Sequence, residues 1–174
     1  MAAGRSAQLA RIREKRAALR KQLWGDLDPG HFWHRKTHDG YVTTPRTMPL
    51  VLQIIDTLTN GKPASSTYFT LWSRTKDDDS MVIIDDPKEL SLEAGFSGSR
   101  STTTWTTRMR LLKDLKFIDT KEGKHEFHYV LIWNPHLVLK YLFSEKKIPD
   151  KEFYNFLIAR SIEIGCKDFM DKQE

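Results

Sequence analysis

The sequence predicts an α+β fold that is mostly helical, on three observations. A run of strong helix formers without Gly or Pro spans 5–23. A dense apolar pattern begins at Met48, and 85–133 reads as helix, turn, helix and hairpin. A chain of 174 residues has room for one compact domain and appendages, at roughly 100–200 residues per domain. The expected organisation is a basic helical arm at 1–24, an aromatic-rich linker at 25–46, a helix-turn-helix and hairpin domain at 47–135, and C-terminal helices at 136–174.

Composition narrows the class. At 39% hydrophobic and 29% charged, with nine Phe and five Trp, the chain can build a packed core. No run approaches the ~18 apolar residues that a membrane span needs. No uninterrupted apolar segment follows the basic N-terminal residues, as a secretory signal would require. The single cysteine, Cys166, excludes an intramolecular disulfide framework, and a Cys-based zinc site is not expected. The expectation is a cytoplasmic protein with no membrane partner and no cofactor.

The net charge of +5 is unevenly spread. Residues 1–46 carry ten Lys/Arg against four Asp/Glu, and 47–174 carry eighteen against nineteen. One local exception, 99–116, holds five Lys/Arg and one Asp. Two positive patches on a neutral body suit a polyanionic partner, because cations that neutralise phosphates release condensed counterions.

Each element has its own signature. In 5–23, Ala, Leu, Arg, Lys, Gln and Glu dominate, all favourable in helices. Leu9, Ile12, Leu19 and Leu23 fall near one face, with Arg16 interrupting it. A polyanion-contacting arm, a short self-associating helix and a solvated helix lightly packed on the body all fit this pattern. In 24–46, Trp24, Phe32, Trp33 and Tyr41 are expected to dock onto the core. His31, His34 and His38 have spacing that a metal could use. Without a Cys or a carboxylate pair nearby they read as surface or hydrogen-bonding residues, and no metal is assigned.

Leu50, Leu52, Ile54, Ile55 and Leu58 predict a buried helix ended by Asn60-Gly61. Residues 66–74 are ambiguous between helix and strand, KDDDS at 76–80 is a polar break, and MVII at 81–84 is a short strand. Asp85 or Asp86 can cap a helix begun by Pro87 and broken at Gly95. A second helix follows from about Arg100 to Lys116. FIDTK and EFHYVLIW then form two strands joined through Glu122-Gly123-Lys124. That succession is the order of a winged helix. A short helix after Asn134-Pro135 and a last one from Pro149-Asp150 complete the chain.

The segment LSLEAGFSGSRSTTTWTTRMRLLKDLKFID resembles the winged helix-turn-helix DNA-binding superfamily. The likeness lies in Ala94-Gly95-Phe96, the turn Ser97–Ser101, a helix Thr102–Leu115, and the exit Leu115-Lys116-Phe117-Ile118. It covers residues 85–133. Gly98-Ser99 enlarge the turn by two residues and blur where the second helix begins. The resemblance implies DNA binding, in a regulator or in a replication or maintenance protein of a plasmid or other mobile element.

Helical geometry agrees. At 100° per residue, Trp105, Met109, Leu111, Leu112 and Leu115 share the core side, whereas Arg100, Thr103, Thr106, Thr107, Arg110 and Lys113 face outward. Hydroxyls and guanidiniums can donate to phosphates, Arg can bind guanine bidentately, and Thr methyls can meet the thymine methyl. Ser101 adds a hydroxyl at the helix start; the alternative reading is that Ser99 or Ser101 caps the helix and the Thr residues are neutral surface. Lys121 and Lys124 at the hairpin tip, and Arg11, Arg13, Arg16 and Arg20 on the arm, are the expected backbone contacts. Double-stranded DNA is the expected partner. The helix KEFYNFLIARSIEI is apolar on two faces, Phe153, Phe156, Leu157 and Ile164 on one and Tyr154, Ile158 and Ile162 on the other. This predicts burial on both, one against a second copy through 150–164.

Catalysis is not expected. Asp77-Asp78-Asp79, Asp85-Asp86 and Glu122-Gly123-Lys124 are only faintly similar to nuclease carboxylate patterns. No Gly-rich phosphate loop, nucleophile elbow, HExxH or Cys-His pairing is visible. The leading expectation is a dimeric, sequence-specific regulator. The alternative is a nucleoprotein component or a protein- or RNA-binding module with little sequence preference.

Overall fold

A computed structural model describes residues 2–76 and 79–169. The chain divides into two compact units, Met1–Tyr41 and Val42–Glu174. The first holds helix α1 (Ala2–Trp24) and a 3₁₀ turn, Pro29–His31, whose cap Asp28 accepts from Gly30 N–H at 2.8 Å. Leu9, Ile12, Leu19 and Leu23 of α1 are exposed. The Arg20 guanidinium lies 5.3 Å from the centroid of the Phe32 ring. Within this unit Trp24, Phe32, Trp33 and Tyr41 are exposed. Trp33 stacks on His38 and meets Tyr41 edge-on within the same segment.

The second unit is α+β and mostly helical. Its elements are α2 (Met48–Leu58), α3 (Ser65–Arg74), β1 (Met81–Ile83), α4 (Pro87–Glu93), α5 (Ser101–Asp114), β2 (Ile118–Lys121), β3 (Tyr129–Ile132), α6 (Pro135–Ser144) and α7 (Lys151–Glu163). No helix among the described residues is long and apolar enough to cross a membrane.

The ambiguous segment 66–74 is helical for a reason nine residues upstream. Asp56 on α2 accepts from Ser65 N–H at 2.9 Å and from its hydroxyl at 2.6 Å. This satisfies a donor that the first helical turn would leave orphaned. Tyr68 and Leu71 then point into the core. Arg74 at the end of α3 pairs with Glu89 (2.9 Å) and Glu93, tying α3 to α4. Asp77 and Asp78 lie outside the described residues.

The antiparallel sheet has the order β1-β3-β2, so β3 is central. Val130 pairs with both Val82 and Thr120, and Ile132 with Ile118, placing apolar side chains on the face that meets the helices. The expected strand at 126–133 is shorter, because 122–128 form a longer connection than a three-residue turn. Phe127 explains this: it leaves the sheet to bury itself against Trp105, edge to face at 5.8 Å. In the same connection Gly123 runs so close to the His128 ring that a Cβ there would lie 2.7 Å from it.

Helices α4 to α7 stop in the same way, with paired backbone bonds that close the last turn. After α4 these are Phe96 N to Ser91 O and Gly95 N to Leu92 O; after α5, Phe117 N to Leu112 O and Lys116 N to Lys113 O. After α6, Lys147 and Lys146 donate to Leu142 and Phe143, and after α7 Cys166 and Gly165 donate to Ser161 and Ile162.

On α7 the inward line is Tyr154, Leu157 and Ser161 against α2, with Phe153 and Ile158 partly covered and Phe156 and Ile162 exposed. The expected grouping of Phe153, Phe156 and Leu157 on one buried face is therefore corrected. Tyr154 takes the central place because its ring stacks on Phe143 at 4.0 Å.

Gly123→Ala should lower stability by about 1–3 kcal/mol, the usual cost of overpacking, because the His128 ring is buried. Chemical denaturation checks this, and an unchanged midpoint would mean that the ring yields.

Candidate nucleic-acid interface

The site is assembled from α4, the turn after it, α5 and the β2–β3 connection. Asp86 caps α4 by accepting from Lys88 N–H at 2.8 Å. The turn passes through Gly95 and Gly98, both in the left-handed region. Ser101 N donates to Gly98 O, and α5 begins at Ser101, which settles where the enlarged turn ends. A cap by Ser99 or Ser101 is not made: Arg100 occupies the cap position with no side-chain hydrogen bond to the helix.

Trp105, Met109 and Leu112 are fully buried, with Leu111 and Leu115 half-buried beside them. The opposite surface presents Arg100, Thr103 and Arg110 exposed, and Thr106, Thr107 and Lys113 half-exposed. Ser101 is buried, so its hydroxyl is turned from this surface. The Thr107 hydroxyl donates back to Thr103 O at 3.0 Å, leaving its methyl as the outward group. Arg108 is recruited to structure: its Nε donates to Pro63 O at 2.9 Å, and its guanidinium lies 6.0 Å from the Phe96 ring centroid.

Two of the expected contact cations are held by carboxylates. Arg110 grips Glu126 of the β2–β3 connection through two bonds, 3.2 and 2.7 Å. Lys124 of the same connection lies 2.5 Å from Asp85, just before α4. Such pairings join residues 16 and 39 apart, beyond the reach of sequence patterning. Hydrogen bonding from Arg110 holds the Glu126 carboxyl below the usual carboxylate range, and Lys124 does the same to Asp85. Arg100, Lys113 and Lys121 form no ion pair among the described residues. On α1, the side chains of Arg11, Arg13, Arg16 and Arg20 are exposed.

A second group of polar side chains was not legible. His136, at the start of α6, lies with Nδ1 2.7 Å from Asp168 Oδ2 and 3.6 Å from Cys166 Sγ. The expectation that the chain has no Cys-His pairing is thus corrected. Thirty residues separate the two, and the packing of α7 on α2 together with the stacking of Tyr154 on Phe143 returns the chain to α6.

Because both carboxyls in the α5–hairpin pairs are depressed, those contacts are complete above the ordinary carboxylate range and are lost only as pH falls through the lowered values. Hydrogen-exchange protection at 122–128 should therefore hold through the ordinary carboxylate range and fall only below it. Glu126→Gln should lower it already at pH 7. Protection that declines between pH 7 and 5 would show that other groups hold the connection. No family model, no curated protein and no solved structure matches this chain.

Proposed function

We propose that this is a non-catalytic, cytoplasmic DNA-binding protein in which 47–135 form a winged helix-turn-helix. On this reading α5 is the recognition helix, and the β2–β3 connection is the wing. The observation that carries the proposal is the division of α5: one side buried through Trp105, Met109 and Leu112, the other presenting Arg100, Thr103 and Arg110. The order β1, α4, α5, β2, β3 with β3 central supports it.

An α-helix fits the major groove of B-DNA, where Arg donates bidentately to guanine and a Thr methyl packs on thymine. Arg100 and Arg110, ten residues apart on α5, lie about 15 Å along its axis, so both reach base edges only if the helix lies along the groove. Lys121, Lys124 and the arginines of α1 act on phosphates, which fix position without reading sequence. Binding replaces the Asp85 carboxylate on Lys124 with a phosphate oxygen, and the Glu126 carboxylate on Arg110 with a guanine edge. The same internal pairing favours a second reading, a nucleoprotein component with little sequence choice, since it engages Arg110, one of the two proposed base readers.

Selection from a randomised duplex library at two salt concentrations tests the proposal. Recovery of one motif supports a sequence-specific regulator, salt-sensitive retention without a motif supports the second reading, and no retention at low salt overturns both. Combined Arg100→Ala and Arg110→Ala should weaken specific binding about tenfold or more, at about 1–3 kcal/mol per base-reading contact. Stability should change by only about 0.5 kcal/mol, as for exposed side chains.

Phe156 and Ile162, exposed on α7, are the proposed contact with a second copy, which would match a two-fold operator. Light scattering at micromolar concentration should give the dimer mass, and a monomer would remove this part of the proposal.

A further inference from the structure

We propose that His136, Cys166 and Asp168 form a site for a divalent ion of borderline softness, of the zinc class. The proposal is independent of nucleic-acid binding. One ligand atom from each residue lies within 4.8 Å of the other two. In a tetrahedral zinc site with Zn–S near 2.3 Å and Zn–N near 2.0 Å, nitrogen and sulfur stand about 3.5 Å apart. The observed Nδ1–Sγ separation is 3.6 Å. The Asp168 oxygen, at 2.7 Å from Nδ1, must retreat by about 0.6 Å to reach the same geometry. Its side chain is 35% exposed and has room to do so.

The surroundings orient these ligands. Thr47 Oγ1, fully buried at the start of α2, lies 2.6 Å from His136 Nε2. With Nε2–H donating to that hydroxyl, Nδ1 offers its lone pair to the ion. Asn134 Nδ2 donates to Asp168 Oδ2 at 3.1 Å. Outer partners of this kind fix ring orientation and the coordinating oxygen. A thiolate and a carboxylate together neutralise a dication, and the mixed N, S, O set suits zinc better than calcium or magnesium.

The alternative chemistry, a Cys-His nucleophile, is disfavoured by the ring. In such a pair the orienting carboxylate holds the imidazole nitrogen opposite the thiol. Here Asp168 and Cys166 converge on the same nitrogen, as ligands around one point would. A groove of about 370 Å³ bordered by Trp72, Ser80, Trp133 and His136 opens beside the cluster, leaving a fourth position for water or an exogenous ligand.

The test is Co²⁺ titration of the full chain after treatment with a chelator, followed by displacement with Zn²⁺. One equivalent should bind with a thiolate-to-metal charge-transfer band, and Zn²⁺ should abolish the band. Cys166→Ala should lose the band while keeping its far-ultraviolet circular dichroism. Asp168→Asn should weaken binding at least tenfold, the scale on which even outer-shell partners act. Zn²⁺ should raise the Tm of the parent chain and not that of Cys166→Ala. Replacing His31, His34 and His38 together by Ala should change none of these readings. No binding at micromolar concentration, a band that survives Cys166→Ala, or binding lost with the three N-terminal histidines would overturn the proposal.

Discussion

The edge-to-face contact between Trp105 and Phe127 is the joint on which the second unit turns. Trp105 is the largest side chain among the described residues that is all but fully buried, and its helix is oriented by keeping that indole inside. Phe127 leaves the hairpin to meet it at 5.8 Å, a geometry in which the positive ring edge faces the negative π cloud. One aromatic pair thus fixes both the outward face of α5 and the position of the β2–β3 connection beside it. The Arg110–Glu126 bonds span the same junction on the wet side. Being exposed, that pair adds little to the global stability of the fold and acts locally, on the position of the connection.

Elements whose signals are local were legible in the sequence. Asn60-Gly61 stops α2, Asp86-Pro87 starts α4, and the spacing of Trp105, Met109 and Leu112 orients α5. Legibility failed where a distant partner decides. Residues 66–74 turn helical with Asp56 capping their start, and 122–128 leave the strand because Phe127 finds Trp105. On α7 the apolar residues encircle the helix, so periodicity could not choose a face, and the stacking of Tyr154 on Phe143 does.

The candidate interface divides in the same way. Helical spacing placed Arg100, Thr103 and Arg110 outward. It could not show that Ser101 turns inward, that Thr107 spends its proton on Thr103, or that Arg110 and Lys124 already have carboxylate partners. Hydrogen bonds across a fold carry no sequence periodicity. The cluster of His136, Cys166 and Asp168 is the extreme case, with no motif spacing to announce it.

The turn that ends α7 has a mechanical consequence. Gly165, at φ +73°, and the bond from Cys166 N to Ser161 O set the direction in which the chain leaves the helix. The reach from Cys166 to His136 therefore depends on where α7 sits against α6, on which Tyr154 stacks through Phe143, as well as on the side chains themselves. A slip of a single residue moves a helix by about 1.5 Å along its axis, several times the tolerance of about 0.2 Å within which metal–ligand distances hold. The cluster is in effect a gauge of helix register, closing only when α7 is seated correctly on its neighbours.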